Sequence, residues 1–289
     1  MEIGFIGLGR MGGAMALNLQ RAGHALHVND VRDEACGPVV EGGGTFHATP
    51  AAIARSADVV LISVPGPGQV DAVLSGPAGL LAGLTDGMLV IDATTIAPDQ
   101  TRANAGLCAE RGADYIDSPV SGGQHGAISG DLAAMVGGDA ALFGRARPIL
   151  ECIANSVIHV GPLGTGSAIK LLNQLIYVSY QLVFAEGLAI GEDLGLDIDT
   201  MLDVWAASAA GHPEITVKYD EIRGVSDKPG FIVKNARLFF DLADRARGEL
   251  GYTTPVIEAA GASLLRALAG GHAGDDMIRA RARYREPEN

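Results

Sequence analysis

The sequence predicts an α/β protein in two parts, a doubly wound parallel sheet with helices on both faces and then an all-helical region. Up to about residue 160, short apolar runs alternate with helix-period segments, whereas after residue 163 helical patterns follow one another without a strand pattern. One helical pattern, Ser167 to Leu194, is well above the usual helix length. We therefore expect an N-terminal domain at 1–162 and a C-terminal domain at 163–289, joined by a long interdomain helix.

The individual elements follow from these patterns. Strands are expected at Glu2–Ile6, Ala25–Val28, Val59–Ser63, Met88–Asp92, Ala113–Asp117, Leu132–Val136 and Val157–His159. Helices between them are expected at Gly12–Ala22, Pro50–Arg55, Gln69–Leu74, Asp99–Arg111 and Ala140–Ile153. Beyond the long helix, further helices are expected at Thr200–Ala207, Gly230–Gly248 and Pro255–Ala269.

Composition excludes several classes of partner. The chain has 289 residues, 48% hydrophobic and 19% charged, which is typical of a packed globular protein. Its net charge of −13 argues against nucleic acid or an anionic membrane, since both require clustered cationic residues. A small molecule is the expected partner, and an anionic one must be drawn in by a local positive site.

The cysteines and the apolar segments indicate the cellular compartment of the protein. The three cysteines are widely spaced, as expected for free thiols in a reducing cytosol, and no basic leader precedes the first apolar run. The apolar stretch Leu171–Ala185 contains amide side chains and is shorter than the roughly 20 residues of a membrane span, so we expect a buried core helix. The prediction is a soluble, cytoplasmic protein.

The first candidate site is the run Gly7-Leu8-Gly9-Arg10-Met11-Gly12, which lies between a predicted strand and a predicted helix. Gly7 allows a tight turn, Gly9 lets the backbone approach a pyrophosphate, and Gly12 lets the helix pack close to the strand. Asp30 follows at the end of the second strand, where a carboxylate accepts hydrogen bonds from an adenosine ribose. The pattern predicts a Rossmann dinucleotide site, with an ordinary glycine-rich turn as the alternative.

Further candidate residues follow other strands of the predicted sheet, at the edge where ligands of such sheets bind. We assign Val64, Pro65 and Thr95 to the cofactor side of this edge. Either Thr94 or Thr95 is expected to cap the helix that starts near Asp99, and the other is free to contact a nicotinamide.

Candidate substrate-binding residues follow the fifth predicted strand. Ser121 precedes Gly122 and Gly123, whose backbone N–H groups are suited to a carboxylate, although a plain Ser/Gly turn is the simpler interpretation. No histidine pair has metal-ligand spacing, so no metal site is predicted. His212 is a candidate to line the substrate pocket, with a structural role as the alternative.

Lys170 is the main catalytic candidate. It lies in the first turns of the long helix, and Asn173 shares its face because positions i and i+3 are neighbours. A lysine among apolar neighbours near a helix N-terminus has a lowered pKa, which suits proton transfer. A surface lysine on an amphipathic helix is an equally good interpretation of the pattern alone.

Taken in order, these motifs resemble the β-hydroxyacid dehydrogenases, the family of 3-hydroxyisobutyrate dehydrogenase and tartronate semialdehyde reductase. The resemblance covers nearly the whole chain, from the glycine run through Asp117–Gly123 and Gly130–Gly138 to Gly161–Asn173. It implies a two-domain fold with a C-terminal domain like that of 6-phosphogluconate dehydrogenase. It further implies that Ser121, Gly122 and Gly123 hold the substrate carboxylate, that Lys170 is the general acid/base and that Asn173 orients substrate or lysine.

One departure concerns the helix after Gly230-Phe231, where family members usually carry Lys-Asp. Here those positions hold Leu238 and Phe239, with Lys234 and Arg237 nearby on the same helix as possible substitutes. We include Lys234 among the expected substrate-binding residues. The change suggests a substrate bulkier or more apolar than the usual small 3-hydroxy acid.

The resemblance leaves three points open. Asp30 favours NAD over NADP because a carboxylate there repels a 2′-phosphate, and NADP users tend to carry Asn followed directly by Arg. The largely apolar long helix favours association with another copy of the chain, and the resemblance implies a homodimer or homotetramer. An imine reductase-like enzyme and a non-catalytic NAD(H)-binding module are the alternative functions.

Overall fold

A computed structural model describes residues 1–212, 222–223, 231–247 and 253–278. The expected helix ends at Gly230 and Gly248 lie outside these residues. The chain forms two compact units, Met1–Leu171 and Leu172–Asn289, each of which is described by itself.

The first unit contains the predicted alternation of strands and helices. Its strands are β1 (Glu2–Ile6), β2 (Ala25–Asn29), β3 (Thr45–Phe46), β4 (Val59–Ile62), β5 (Leu89–Asp92), β6 (Asp114–Asp117), β7 (Val120–Ser121), β8 (Leu132–Gly137) and β9 (Ala154–Gly161). Its helices are α1 (Gly12–Arg21), α2 (Gly37–Glu41), α3 (Pro50–Ala54), α4 (Pro67–Ser75), α5 (Pro98–Ala109), α6 (Gly123–Ser129) and α7 (Ala140–Leu150). The sequence pattern missed β3, β7, α2 and α6, all of which are short.

The sheet has the doubly wound order β3-β2-β1-β4-β5-β6 with parallel neighbours, followed by β8 and β7, while β9 pairs with β8. The predicted parallel, doubly wound sheet is confirmed from β3 to β6, whereas at this last edge β8 runs antiparallel to β6 and β7. Residues 122–131 are too few for a parallel crossover, which takes a dozen or more residues, so the chain returns in the opposite direction.

The core lies on both faces of the sheet, as expected for strands covered by helices on each side. Successive residues of β1 alternate between the two apolar clusters, with Phe5 in the one that includes α1 and Ile6 in the one that includes α3. Leu61 and Ile62 of β4 divide in the same way. This packing fixes the carboxyl ends of β1, β4, β5 and β6 along one edge.

The second unit is helical in its described residues, apart from one isolated bridge between Ile232 and Asp276. Its helices are the remainder of α8 (Thr165–Asp193), then α9 (Ile198–Ala206), α10 (Val233–Arg247) and α11 (Pro255–Ala269). Among the described helices, none has the length and apolar character needed to cross a membrane.

Helix α8 is exposed along one side, so the expectation of a buried core helix holds for only part of its circumference. Ile176, Val183 and Ile190 are 70%, 66% and 61% exposed, while Leu182 and Leu188 are buried. The exposed residues recur every seventh position and form one stripe, because seven residues are close to two helical turns.

Candidate active site

The glycine run forms a tight turn between β1 and α1. Gly7 has φ +93°, and a Cβ there would lie 2.2 Å from the Ser63 carbonyl oxygen. A Cβ on Gly12 would lie 1.9 Å from the Gly7 carbonyl oxygen, so the helix packs directly on the turn. A Cβ on Gly9, by contrast, would meet no atom within 4 Å. Two of the glycines are therefore required by the fold, and the third borders open space.

Asp30 is tied to the glycine turn by its buried carboxylate. Its Oδ2 accepts a hydrogen bond from Leu8 N at 2.7 Å, and its Oδ1 accepts one from Arg32 N at 2.9 Å. The Arg32 guanidinium, largely exposed, completes an ion pair with Nε 3.4 Å from Oδ1. Asp30 therefore holds the turn in addition to its expected role toward a ribose.

This arrangement fits a dinucleotide. The open space beside Gly9 is where a pyrophosphate would approach the backbone, and the start of a helix such as α1 favours an anion through its backbone N–H groups and positive potential. Leu8 is buried, Met11 is half-buried and Arg10 is exposed. The residues of this turn thus satisfy both the steric and the electrostatic needs of the group.

The loops after β4 and β5 are joined by a hydrogen bond from Val64 N to Thr94 Oγ1 at 3.2 Å. The expectation that a threonine caps the following helix is wrong. Helix α5 begins at Pro98 with Ala97 before it, and no side chain caps it. Pro98 has no N–H to satisfy, and Thr94 is already engaged with Val64. Thr95 is half-buried and Pro65 exposed in these loops.

A buried polar network beneath these loops was missed by the sequence analysis. Asp92 Oδ1 accepts a hydrogen bond from Thr94 N at 2.8 Å, and Oδ2 accepts one from the Tyr115 hydroxyl at 2.6 Å. Burial raises the pKa of Asp92 to about 6, although the hydrogen bonds from Tyr115 and Thr94 oppose the shift. The only sequence signal was the position of Asp92 at a strand end.

Ser121 ends β7, and the two glycines that follow start α6. Gly122 has φ +130° and Gly123 has φ +61°, and both are exposed. Asn18 of α1 donates a hydrogen bond to the Ala127 carbonyl oxygen at 2.9 Å, which fastens α6 to the helix of the glycine turn.

Lys170 lies in the second turn of α8 and is only 6% exposed, so the interpretation as a surface lysine is wrong. Burial lowers its pKa from 10.5 to about 8. Leu171 beside it is buried, whereas Leu172 is 54% exposed. A buried amine that titrates near neutral pH is suited to exchanging protons with a substrate.

The start of α8 is held by Asp117, the last residue of β6, which is 1% exposed. Its Oδ1 accepts a hydrogen bond from Gly164 N at 2.8 Å, and its Oδ2 accepts one from Ser167 N at 2.6 Å. The sequence placed Asp117 at a strand end and gave no sign of these partners, which lie about 50 residues away.

The remaining expected residues lie in the second unit. Asn173 follows Lys170 by three residues on α8 and donates a hydrogen bond to Gln174 Oε1 at 3.2 Å. The His212 ring lies 4.4 Å from that of Tyr180, and the Lys234 side chain is exposed. Within the described residues, no three His, Cys, Asp or Glu side chains converge as metal ligands would.

Two protein families, one for each part of the chain, match this sequence and agree with the resemblance noted from its motifs. Residues 2–161 match the family described as the NAD binding domain of 6-phosphogluconate dehydrogenase. Residues 164–283 match the family described as NAD-binding of NADP-dependent 3-hydroxyisobutyrate dehydrogenase.

Individual relatives cover most of the chain. The NAD-dependent L-serine dehydrogenase of Pseudomonas aeruginosa is 33% identical over 263 residues, 88% of each chain. The 3-hydroxyisobutyrate dehydrogenase of the same organism is 38% identical over 211 residues, 73% of this chain and 71% of that one. The Mycobacterium tuberculosis 3-hydroxyisobutyrate dehydrogenase solved with L-serine is 30% identical, has a TM-score of 0.85 and covers 99% of each chain.

The Rossmann unit, the dinucleotide turn and these relatives agree with the family expected from the motifs. The chain belongs to the β-hydroxyacid dehydrogenase family, oxidoreductases of hydroxy acids and their semialdehydes that use NAD or NADP.

Proposed function

We propose that Lys170 is the general acid/base of this enzyme and that its substrate is a β-hydroxy acid or the corresponding semialdehyde. The observation that carries the proposal is the burial of Lys170, at 6% exposure, with a pKa lowered to about 8. The amine is therefore available in both protonation states near neutral pH. A buried cation that served only the fold would be a costly choice.

In the oxidative direction, neutral Lys170 accepts the proton of the substrate hydroxyl while the carbon beside it loses hydride. In the reductive direction, the ammonium form donates a proton to the nascent alkoxide. The nicotinamide, when bound, supplies or accepts the hydride. Holding the lysine and the substrate in the reactive geometry contributes much of the rate acceleration, because the entropy cost of bringing them together is met on binding and not in the reaction step.

The substrate carboxylate is assigned to Ser121, Gly122 and Gly123. This assignment is supported by the positive φ angles and the exposure of both glycines at the start of α6. Asn173 is assigned to orienting the substrate or the lysine, on the strength of its helical spacing from Lys170. His212 and Lys234 are proposed as contacts for the distal end of the substrate.

Leu238 and Phe239 stand where the family usually has a Lys-Asp pair, and this replacement supports a bulkier or more apolar substrate. Phe239 stacks on Phe231 with ring centroids 5.8 Å apart, and Phe231 meets Tyr177 edge-on at 5.7 Å. Arg237, a possible substitute for the missing lysine, is paired with Asp241. An aromatic cluster therefore occupies a position where the family usually has charge.

The proposed cofactor preference is NAD. The Asp30 carboxylate is anchored by Leu8 N and Arg32 N, so it cannot easily withdraw from a 2′-phosphate. The exposed stripe on α8 supports a homodimer or homotetramer, since a second copy would cover Ile176, Val183 and Ile190. A cytoplasmic location is proposed from the free thiols.

The test is a panel of hydroxy acids and matching semialdehydes, including branched and aromatic members, followed at the reduced-nicotinamide absorbance with NAD and NADP separately. We expect turnover with NAD that disappears in Lys170→Ala while NADH binding persists. Turnover on small acids alone would contradict the bulky-substrate proposal.

The same panel separates the alternative functions. Turnover of cyclic imines but not of hydroxy acids would favour an imine reductase-like enzyme. NADH binding without turnover of any substrate would favour the binding module. Full turnover in Lys170→Ala would reject the proposed role of the lysine.

A further inference from the structure

The side chain of Asp117 bridges two backbone N–H groups at the start of the helix that carries Lys170. Gly164 N precedes α8 by one residue, and Ser167 N belongs to its first turn. Both groups are among the N–H donors that a helix start leaves without intrahelical partners. Asp117 therefore acts as a cap that comes from a strand of the sheet instead of from the helix itself.

The same turn is held by direct backbone packing. A Cβ on Gly166 would lie 2.2 Å from the Met135 carbonyl oxygen, and a Cβ on Gly137 would lie 2.4 Å from Asp117 Oδ1. The start of α8 thus touches β8 with no side chain between them. Since no larger residue fits at these positions, this turn has little room to shift.

A third contact comes from α5. The Ser167 and Thr101 hydroxyls lie 2.9 Å apart, and both residues are fully buried. The first turn of α8 is consequently fixed against β6, β8 and α5. Lys170 follows Ser167 by three residues, about one turn, so the rotation of this turn sets the direction in which the lysine extends.

We infer that Asp117 is a positioning residue for Lys170, which holds the first turn of α8 so that the amine meets the reacting hydroxyl. The inference rests on the proposed role of Lys170 as the general acid/base. Loss of the two hydrogen bonds would let the turn fray or rotate. A displacement of about 1 Å at a catalytic group can cost roughly 100-fold in rate.

The experiment compares Asp117→Asn with a capping control, Asp139→Ala. Asp139 caps α7 in the same way, since its Oδ1 accepts hydrogen bonds from Ala141 N and Leu142 N, but α7 carries no proposed catalytic group. Asp117→Asn keeps one acceptor oxygen for the two backbone donors, and Asp139→Ala removes the oxygen that accepts both of its bonds. Loss of helix capping in general therefore affects both variants.

The first readout needs no substrate. Acylation of Lys170 by an amine-reactive reagent is followed by mass spectrometry in the presence and absence of NADH. We expect it to be about fivefold or more faster in Asp117→Asn, because local opening exposes the amine, and unchanged in Asp139→Ala. Acylation of Lys170 at the wild-type rate in Asp117→Asn would overturn the inference.

The second readout is kcat per NADH-binding site, which counts only folded protein. We expect a loss of roughly 10- to 100-fold in Asp117→Asn with little change in the Kd for NADH. A wild-type kcat in Asp117→Asn, while Lys170→Ala is inactive, would overturn this inference alone. A wild-type kcat in Lys170→Ala would instead reject the proposed function.

A second variant covers the case in which Asp117→Asn does not fold. Ser167→Ala removes the hydroxyl that contacts both Thr101 and the Asp117 carboxylate, and it leaves both backbone donors to Asp117 in place. We expect a smaller change in the same direction, about twofold in acylation and in kcat per site. No change in either quantity would overturn the inference.

Discussion

The Tyr115 hydroxyl donates a 2.6 Å hydrogen bond to Oδ2 of Asp92, and both side chains are buried. Asp92 in turn accepts a hydrogen bond from Thr94 N, and Thr94 accepts one from Val64 N. Two loops assigned to the cofactor therefore rest on one buried carboxylate. The pKa of this carboxylate is raised to about 6 by burial, so it is largely ionised at neutral pH.

Tyr115→Phe is expected to destabilise the protein more at pH 7 than at pH 5. At pH 7 the substitution leaves an ionised buried oxygen without its donor, which costs about 2 kcal/mol. At pH 5, below the pKa of Asp92, the carboxyl group is neutral and the cost falls to about 1 kcal/mol. Urea unfolding at the two pH values measures the difference. An equal loss at both would contradict an ionised Asp92 in the wild type.

Lys170→Met is expected to abolish turnover and to raise the free energy of unfolding at pH 7. The folded pKa of Lys170, about 8, lies below the value of 10.5 for an unperturbed lysine, so folding is penalised wherever the unfolded lysine is protonated. The penalty is complete below pH 8, about 3 kcal/mol, and disappears toward pH 10.5.

Unfolding curves of both proteins from pH 7 to pH 10 test this window, and the advantage of Lys170→Met must shrink as pH rises. Lys234→Met is the stability control, because Lys234 is exposed and its loss should change stability by less than about 0.5 kcal/mol. The kcat for oxidation should rise with pH through about 8, as Lys170 loses its proton. A flat profile would argue against the lysine as base.

Gly9→Ala and Gly12→Ala are expected to fail in different ways. A Cβ on Gly9 meets no atom, so the protein should fold with nearly wild-type stability but bind NADH at least about tenfold more weakly. A Cβ on Gly12 overlaps the Gly7 carbonyl oxygen, so this variant should lose about 2 kcal/mol or more of stability. Thermal unfolding and fluorescence titration with NADH distinguish the two. Normal NADH affinity in Gly9→Ala would contradict the assigned pyrophosphate site.

Asp30→Asn is expected to shift preference from NAD toward NADP by about tenfold or more in the ratio of kcat/KM values. The amide oxygen still accepts from Leu8 N, while the negative charge that repels a 2′-phosphate is gone and Arg32 is released from its ion pair. The exposed Asp33→Asn in the same segment is the control for general loss of charge. An unchanged ratio would mean that Asp30 serves only the turn.

Val183→Glu on α8 is expected to dissociate the proposed oligomer, whereas Val256→Glu on α11 is not. The two side chains are 66% and 69% exposed, so neither substitution should unfold the isolated chain. A charge within an apolar interface between copies costs several kcal/mol. Light scattering after size-exclusion chromatography measures the mass of each variant. A monomeric wild type, or an oligomer that survives in Val183→Glu, would reject the stripe as the interface.

The amino-acid sequence by itself determined the features that depend on neighbouring residues. Gly7 and Gly12 indicate the turn because only glycine fits at these positions. The alternation of apolar runs with helical patterns predicted most of the strands and helices. The long α8 and the position of Asp30 after a strand were likewise local patterns.

Only the tertiary structure decided the direction of β8, the partners of Asp92 and Asp117, and the burial of Lys170. Hydrophobic periodicity reports which face of an element is buried, but neither the direction of a strand nor which distant residue packs on that face. Ser167 therefore reaches Asp117 without any sequence signal, and an isolated lysine pattern suits a surface and an active site equally well. Packing removes this lysine from water, and that loss of hydration lowers its pKa to about 8.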